Sequence, residues 1–119
     1  MGKHNEFGKL GEQKAVDFLL ATGYEILFRN YRYLKAEVDI IAKKGEELAI
    51  IEVKSRTTGF FTAISDTITP KKIKLLTMAA DHYVLEKDLD VQVRFDIITI
   101  IKKGEKFEVE HLKDAFYHF

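Results

Sequence analysis

Two apolar segments, residues 37–42 and 48–54, constrain the fold of this chain more than any other feature of its sequence. Both are apolar at successive positions and not only at every second one, as in strands that are covered on both faces of a sheet. The five residues that join them, 43–47, contain Gly45 and form a connection of the length found in hairpins. We therefore predict two antiparallel strands in the middle of a sheet that has helices on both faces.

The preceding segment predicts one helix and one strand. Residues 7–22 carry apolar side chains at helical spacing, and Gly23 stands where a helix would end. Residues 24–33 alternate and are rich in aromatic side chains, which favours a strand with Asn30 as a candidate bulge or turn.

The second half of the chain predicts a crossover connection. Thr69 and Pro70 are typical of the cap and first residue of a helix. A long strand follows over residues 91–101 and a shorter one over 106–112. The expected order is αβββαβ(β), in which a right-handed crossover through the second helix makes one strand parallel. The aromatic C-terminus, with Phe116, Tyr117 and Phe119, is expected to cap the core.

Composition bounds the class of protein. The 119 residues are 46% apolar and 32% charged, without linker or repeat, so we expect one globular domain over residues 1–119. The absence of cysteine excludes a disulfide scaffold, a thiol nucleophile and cysteine-ligated metal sites. No segment resembles a signal peptide or a membrane span, so we expect a cytoplasmic protein with no membrane partner.

Charge is balanced overall but not locally. Nineteen basic residues face nineteen acidic ones, so the total does not favour a nucleic-acid partner. Residues 54–76 carry five basic side chains against Asp66 alone. This segment is therefore where a polyanion would bind, if one does.

The carboxylates of the predicted hairpin point to metal chemistry. A two-residue turn at residues 45–46 and a four-residue loop over 44–47 give the same register, which places Asp39 opposite Glu52 and Glu37 opposite Lys54. Opposed side chains lie about 5 Å apart, where like charges repel, and a divalent cation would remove that repulsion. The alternative is that both acids reach solvent at strand ends and that Glu37 and Lys54 form an ordinary ion pair.

Strand periodicity adds a second expectation for these residues. Because side chains alternate along a strand, Glu37, Asp39 and Ile41 are expected to share one face of the sheet.

These residues carry a family resemblance that extends over nearly the whole chain. Glu12, residues 36–42 and residues 51–56 resemble the PD-(D/E)xK nuclease superfamily, and specifically the YraN family, which is similar to archaeal Holliday junction resolvases. Two positions depart from the pattern, because Val38 stands where the superfamily has proline and Ala36 where the family usually has glycine.

The resemblance implies an α/β fold, with a restriction endonuclease-like αβββαβ core and a central mixed sheet flanked by helices. It also implies a metal-dependent endonuclease that hydrolyses DNA phosphodiester bonds and selects branched or junction DNA by structure. Asp39, Glu52 and the carbonyl of Val53 would hold Mg²⁺ or Mn²⁺, and Lys54 would position or deprotonate the attacking water. Glu12 would complete the metal shell, its alternative being an exposed helix carboxylate.

Several polar residues around the predicted site are candidate nucleic-acid contacts, because cations neutralise phosphates without reading sequence. They are Arg29, Arg32, Arg56, Thr57, Thr58, Lys71 and Lys72. For Lys71 and Lys72 a solvated basic face is an equally good interpretation. Tyr31 and Tyr33 alternate with the arginines, which suits stacking on single-stranded nucleic acid, although half-buried strand tyrosines are the common case.

Two other classes of function remain open. Besides a nuclease, the chain could be a catalytically silent module that keeps the fold and binds nucleic acid or serves as an adaptor. The third alternative is a purely structural protein without metal. A homodimer is also left open, since pairing two copies would join two basic loops into one DNA-binding surface.

Overall fold

The computed structural model describes residues 3–57 and 68–116. Seven helices and strands follow one another along this part of the chain: α1 (Lys3–Ala21), β1 (Glu25–Tyr33), β2 (Ala36–Lys44), β3 (Glu47–Thr57), α2 (Pro70–Lys87), β4 (Gln92–Lys103) and β5 (Lys106–Leu112). The predicted order of elements is confirmed, and α1 begins four residues before the predicted start. No helix in the described ranges is long and apolar enough to cross a membrane.

The five strands form one mixed sheet in the order β1-β2-β3-β4-β5. Neighbouring strands are antiparallel except β3 and β4, which are parallel and are connected through α2. The α/β fold with a central mixed sheet flanked by helices is therefore confirmed, and it is consistent with a restriction endonuclease-like core.

A hydrophobic core lies on each face of the sheet. On one face α2 packs on the sheet through Leu76, Ala79, Ala80 and Tyr83. On the other face α1 packs on the sheet through Ala15, Val16 and Leu19. Strands β2 and β3 contribute to both cores, which is why their sequences are apolar at successive positions. Burying each of their isoleucines stabilises the fold by roughly 1.5–3 kcal/mol.

The hairpin turn has the predicted register. Lys44 pairs with Glu47 across a two-residue turn, in which Gly45 has a φ of 61°. Such turns need left-handed backbone angles that glycine adopts without steric penalty. The turn therefore fixes which residues of β2 and β3 face each other.

The ends of the helices are as the sequence indicates. At the end of α1, Gly23 N–H donates to the carbonyl of Leu20 and Tyr24 N–H to that of Leu19. At the start of α2, the Thr69 hydroxyl accepts a 3.1 Å hydrogen bond from the N–H of Lys72.

Of two further local predictions, the bulge at Asn30 is wrong and the packing of the C-terminus on the core is confirmed for Phe116. The bulge of β1 lies between Ile26 and Phe28 and not at Asn30. Asn30 adopts a φ of 55° while its strand stays in register with β2, because asparagine tolerates this left-handed conformation without an inserted residue. At the C-terminus Phe116 packs on the core beside Phe95, as predicted, whereas Tyr117 and Phe119 lie outside the described residues.

Candidate active site

Side-chain alternation in β2 breaks at Asp39. Val38 and Ile41 both pack in the core under α2, while Ile40 packs in the core under α1. Residues three apart would lie on opposite faces of a regular strand, so one position between them departs from the alternation. The expectation that Glu37, Asp39 and Ile41 share one face is therefore wrong. The departure lies beside the left-handed Asn30 of β1, whose neighbours in β1 pair with Ile40 and Val38.

Strand β2 also separates from β3 at this level. The paired residues end with Ile40 and Ile51, one pair before the two carboxylates. The carboxylate of Asp39 instead accepts a 2.8 Å hydrogen bond from the N–H of Val53. A side chain thus replaces a backbone partner at the point where the site opens.

The predicted pairing of Glu37 with Lys54 does not occur. Glu37 faces Arg32 of β1, with 2.8 Å between its Oε2 and Arg32 Nη2. The ammonium of Lys54 lies 3.7 Å from Oε2 of Glu52. On the N-terminal side of Asp39, β2 remains paired with β1 but is no longer paired with β3.

Two clefts meet at Asp39. The first, here called the α1 cleft, has a volume of about 840 Å³ and is bordered by Glu12 and Arg29. The second, here called the α2 cleft, has a volume of about 280 Å³ and is bordered by Glu52 and Lys72. Asp39 lines both clefts, as does Glu37 of the same strand.

The environment of Asp39 disfavours its charge. Burial raises the pKa of this carboxyl to about 6, the hydrogen bond from Val53 opposes the rise, and the carboxylates of Glu52, Glu12 and Glu37 add to it. Glu52 therefore lies close enough to Asp39 to influence its ionisation, as the predicted proximity of the two acids requires.

Glu52 is 7% exposed and has unequal partners on its two oxygens. Its Oε1 is in contact with the ammonium of Lys72, at the start of α2. Its Oε2 is buried and accepts no hydrogen bond, since Lys54 Nζ is beyond hydrogen-bond distance. A buried carboxylate oxygen without a donor is costly, so this atom is the open position of the site.

Glu12 reaches the α1 cleft from α1. Its Oε1 accepts a 3.1 Å hydrogen bond from Asn30 Nδ2 and lies 3.5 Å from Nη2 of Arg29. The preceding Gly11 lets α1 approach β3, because a Cβ at this position would overlap the hydroxyl of Ser55. Among the described residues, no three carboxylate or imidazole groups gather closely enough to form a ligand cluster.

The residues predicted to contact nucleic acid differ in their side-chain partners and in their exposure. Arg29 is held by Gln13 and Glu12, and Lys72 by Glu52. Arg32 is paired with Glu37 but remains 78% exposed at its side chain.

The remaining candidates lie near the end of β3 and the start of α2. Lys71 is exposed and borders the α2 cleft. Thr57 is exposed at the end of β3, and Nε of Arg56 is buried without a hydrogen-bond partner. Thr58 lies outside the described residues.

The tyrosines of β1 are structural. Tyr31 is buried and its hydroxyl is hydrogen-bonded to His82 Nδ1 at 2.7 Å. The ring of Tyr33 stacks on the ring of His82, with 4.0 Å between centroids. Both rings therefore pack against other parts of the protein, as the half-buried alternative predicts.

Sequence reasoning did not anticipate Asn30 and Ser55 as parts of the site. Asn30 orients Glu12, and Ser55 borders the α1 cleft against Gly11. The available signals were the position of Ser55 directly after the E-x-K run and the polarity of Asn30 in an otherwise aromatic strand.

A second buried carboxylate lies away from both clefts. Asp96 is fully buried and accepts hydrogen bonds from Arg94 at 2.8 Å and from the N–H of Asp114 at 3.0 Å, and lies 2.7 Å from Nε2 of His111. Arg94 also donates to the hydroxyl of Tyr24. Burial alone would raise the pKa of Asp96, but the hydrogen bonds of His111, Arg94 and Asp114 outweigh it and lower the pKa.

Comparison with known proteins gives one consistent family. Residues 11–100 match the model of the uncharacterised protein family UPF0102. A UPF0102 protein of Christiangramia forsetii is 54% identical over 119 residues, which cover the whole of both chains. A UPF0102 protein of Flavobacterium psychrophilum is 48% identical over the same length, again covering the whole of both chains. One from Bacteroides fragilis is 47% identical over 98% of this chain and 97% of its own. The chain therefore belongs to the UPF0102 (YraN) family.

Proposed function

We propose that this protein is a metal-dependent nuclease of the PD-(D/E)xK type that hydrolyses DNA phosphodiester bonds and selects branched DNA by its structure. The observation that carries the proposal is the pair Asp39 and Glu52. A partly buried carboxylate and a buried one border the same cleft, and the first has a raised pKa while the second has an oxygen without a donor. Asp39 has no cation of its own and Glu52 has an oxygen without a donor, so a divalent cation between the two acids would be favoured.

The donor atoms fit a small divalent cation. Mg²⁺ and Mn²⁺ prefer oxygen ligands, and the carboxylates of Asp39 and Glu52 with the carbonyl of Val53 would supply them. When bound, the cation would orient a water molecule and neutralise the charge that develops on the phosphate.

Lys54 and Glu12 would act on the water and the site geometry. Lys54 lies two residues beyond Glu52 on β3, and its side chain is 24% exposed, so its ammonium stands at the edge of the site. There it would hold the attacking water or a phosphate oxygen by a charge-assisted hydrogen bond. Glu12 faces Asp39 across the α1 cleft and would accept from a water between them.

The surface around the site supports a nucleic-acid substrate. Arg32 and Lys71 extend exposed cations at opposite sides of Asp39, one in each cleft. Phosphates on both sides of a scissile bond would find a cation in either cleft, and such contacts do not depend on base sequence. Arg56 and Thr57 continue this surface along β3.

The second candidate is a catalytically silent nucleic-acid-binding module. It is favoured by one observation, that no three ligand groups gather among the described residues. In that case Lys72 would be the permanent partner of Glu52.

Cleavage assays on purified protein separate the two functions. Duplex, flap, single-stranded and four-way junction DNA should be incubated with Mg²⁺ or Mn²⁺, and we expect metal-dependent cleavage that is strongest on branched substrates. Lys54→Ala should remove cleavage but keep metal binding, whereas Asp39→Asn should remove both. DNA binding without cleavage of any substrate would leave only the silent module.

A further inference from the structure

Lys72 is the cation in closest contact with the candidate metal ligands. Its ammonium touches Oε1 of Glu52, whereas Lys54 stands 3.7 Å from Oε2. Sequence reasoning placed Lys72 among the phosphate contacts because it opens α2. In the structure its ammonium contacts a carboxylate.

The backbone of Lys72 is fixed while its side chain has room to move. Its N–H donates to the Thr69 hydroxyl that caps α2, which anchors the first turn of the helix. Its side chain is 35% exposed and borders the open α2 cleft. The ammonium can therefore leave Glu52 by side-chain rotation alone, without a change in the fold.

An ammonium and a divalent cation on the same carboxylate group compete for its negative charge. The positive charges would repel each other inside a partly buried cleft, where repulsion is stronger than in water. A cation at Oε2 would repel the ammonium on Oε1, and a cation that takes both oxygens would displace it, so the Lys72 contact opposes metal binding.

We propose that Lys72 is a built-in counter-ion that occupies Glu52 in the metal-free protein and exchanges with the divalent cation. It is a positioning residue, and the inference rests on the proposed metal-dependent function. The exchange explains why a buried carboxylate beside Asp39 is tolerated before metal binds. It also sets the metal affinity below the value that the bare ligands would give.

Metal titration of charge-removing variants tests the exchange. Lys72→Met keeps the length of the side chain and removes its charge, and Lys71→Met is the matched control one residue away, on a side chain that borders the same cleft. In calorimetric titrations with Mn²⁺ we expect Lys72→Met to bind about tenfold more tightly than wild type, since no ion pair has to be broken. Lys71→Met should stay within about twofold of wild type.

Thermal melts give a readout that does not depend on activity. The metal-free Lys72→Met protein should melt below wild type, and Mn²⁺ should raise its melting temperature by more than it raises that of wild type. If Lys72→Met does not fold, Lys72→Gln tests the same exchange with a side chain that can still donate a hydrogen bond.

Each outcome decides between the two proposals. Mn²⁺ binding by Lys72→Met but not by wild type would also support the exchange. Equal or weaker binding by Lys72→Met, with clear binding by wild type, would overturn the exchange and leave the metal site intact. Absence of binding by wild type and by both Lys72 variants would overturn the metal-dependent function and the exchange together.

Discussion

The protein treats two carboxylates in opposite ways, the partly buried Asp39 and the fully buried Asp96. Asp96 has a guanidinium, an imidazole and a backbone N–H as partners, and its pKa is lowered. Asp39 has one hydrogen bond from Val53 and three acidic neighbours, and its pKa is raised to about 6. The difference shows that this fold can compensate a buried charge fully, and that at Asp39 it does not.

The comparison identifies which region contributes to stability and which is suited to chemistry. The Asp96 cluster is closed, because the side chains of Arg94 and His111 and the N–H of Asp114 all contact Asp96, and Arg94 also bonds to Tyr24 just before β1. The region around Asp39 is open to two clefts and contains an oxygen of Glu52 without a donor. Stored electrostatic strain of this kind concentrates at functional sites.

The largest expected effect is the removal of the charge of Asp96. Asp96→Asn would leave Arg94 without its buried counter-charge, so we expect the free energy of unfolding to fall by about 3–5 kcal/mol. Urea denaturation measures this loss. Glu47→Gln is the control, since it removes the exposed partner of the same arginine and should cost at most about 1 kcal/mol. Similar losses for both variants would contradict the special status of Asp96.

Removal of the charge of Asp39 should have the opposite sign. At pH 8 Asp39→Asn should raise the free energy of unfolding by about 2 kcal/mol, because a desolvated charge is removed while the amide oxygen can still accept from Val53. The unfolded carboxyl titrates near its ordinary value of about 4 and the folded one at about 6. Between these values the folded state binds more protons, so the wild type gains stability as pH falls.

The pH dependence of that difference is the measurement that checks it. The advantage of Asp39→Asn over wild type should be largest above pH 7 and shrink as pH falls from about 6 to about 4. Acidic groups other than the neighbours Glu12, Glu37 and Glu52 affect both proteins alike and cancel in the difference. A constant difference across this range would show that Asp39 is not strained by its charge.

Glu52 should behave unlike Asp39 although the two share a cleft. Glu52→Gln removes the ion pair with Lys72 and the attraction of Lys54, so we expect a loss of about 1–2 kcal/mol in the metal-free protein. Thermal or urea unfolding of the two variants side by side gives the comparison. A gain in stability for both would mean that Lys72 does not compensate Glu52.

The smallest expected effect concerns the approach of α1 to β3. Gly11→Ala should cost about 1 kcal/mol because its methyl group would overlap Ser55, and it should reduce cleavage by displacing Glu12. Gly8→Ala is the matched control in the same helix, since nothing lies within 4 Å of a Cβ there. Its better helix propensity should stabilise the protein by about 0.5–1 kcal/mol. Equal effects of the two would remove any role for close packing at Gly11.

The fold could be predicted from the sequence because its signals are local. The apolar runs of β2 and β3, the two-residue turn at Gly45 and the cap at Thr69 each act within a few residues, and together they give the order of elements and the register near the turn. The parallel pairing of β3 with β4 follows from the crossover connection through α2.

The details of the candidate site could not be predicted in the same way. The sequence indicated the proximity of Asp39 and Glu52. The prediction took side chains to alternate without interruption along β2, and no residue near Asp39 indicates that this alternation fails there. The contact of Lys72 with Glu52 depends on how α2 is placed over the sheet, which involves residues twenty positions apart. Glu37 pairs with Arg32 and not with the predicted Lys54 for a related reason. A strand that lies between two others can stay paired with one of them where it separates from the other.

The hydrogen bond from Val53 to Asp39 makes one backbone amide a natural reporter of the site. An amide proton that points at a carboxylate resonates at a position that depends on the charge of that carboxylate and on any cation beside it. The Val53 signal in a nitrogen-15 correlation spectrum should therefore follow the ionisation of Asp39 and the arrival of a metal without any substitution or label at the site itself.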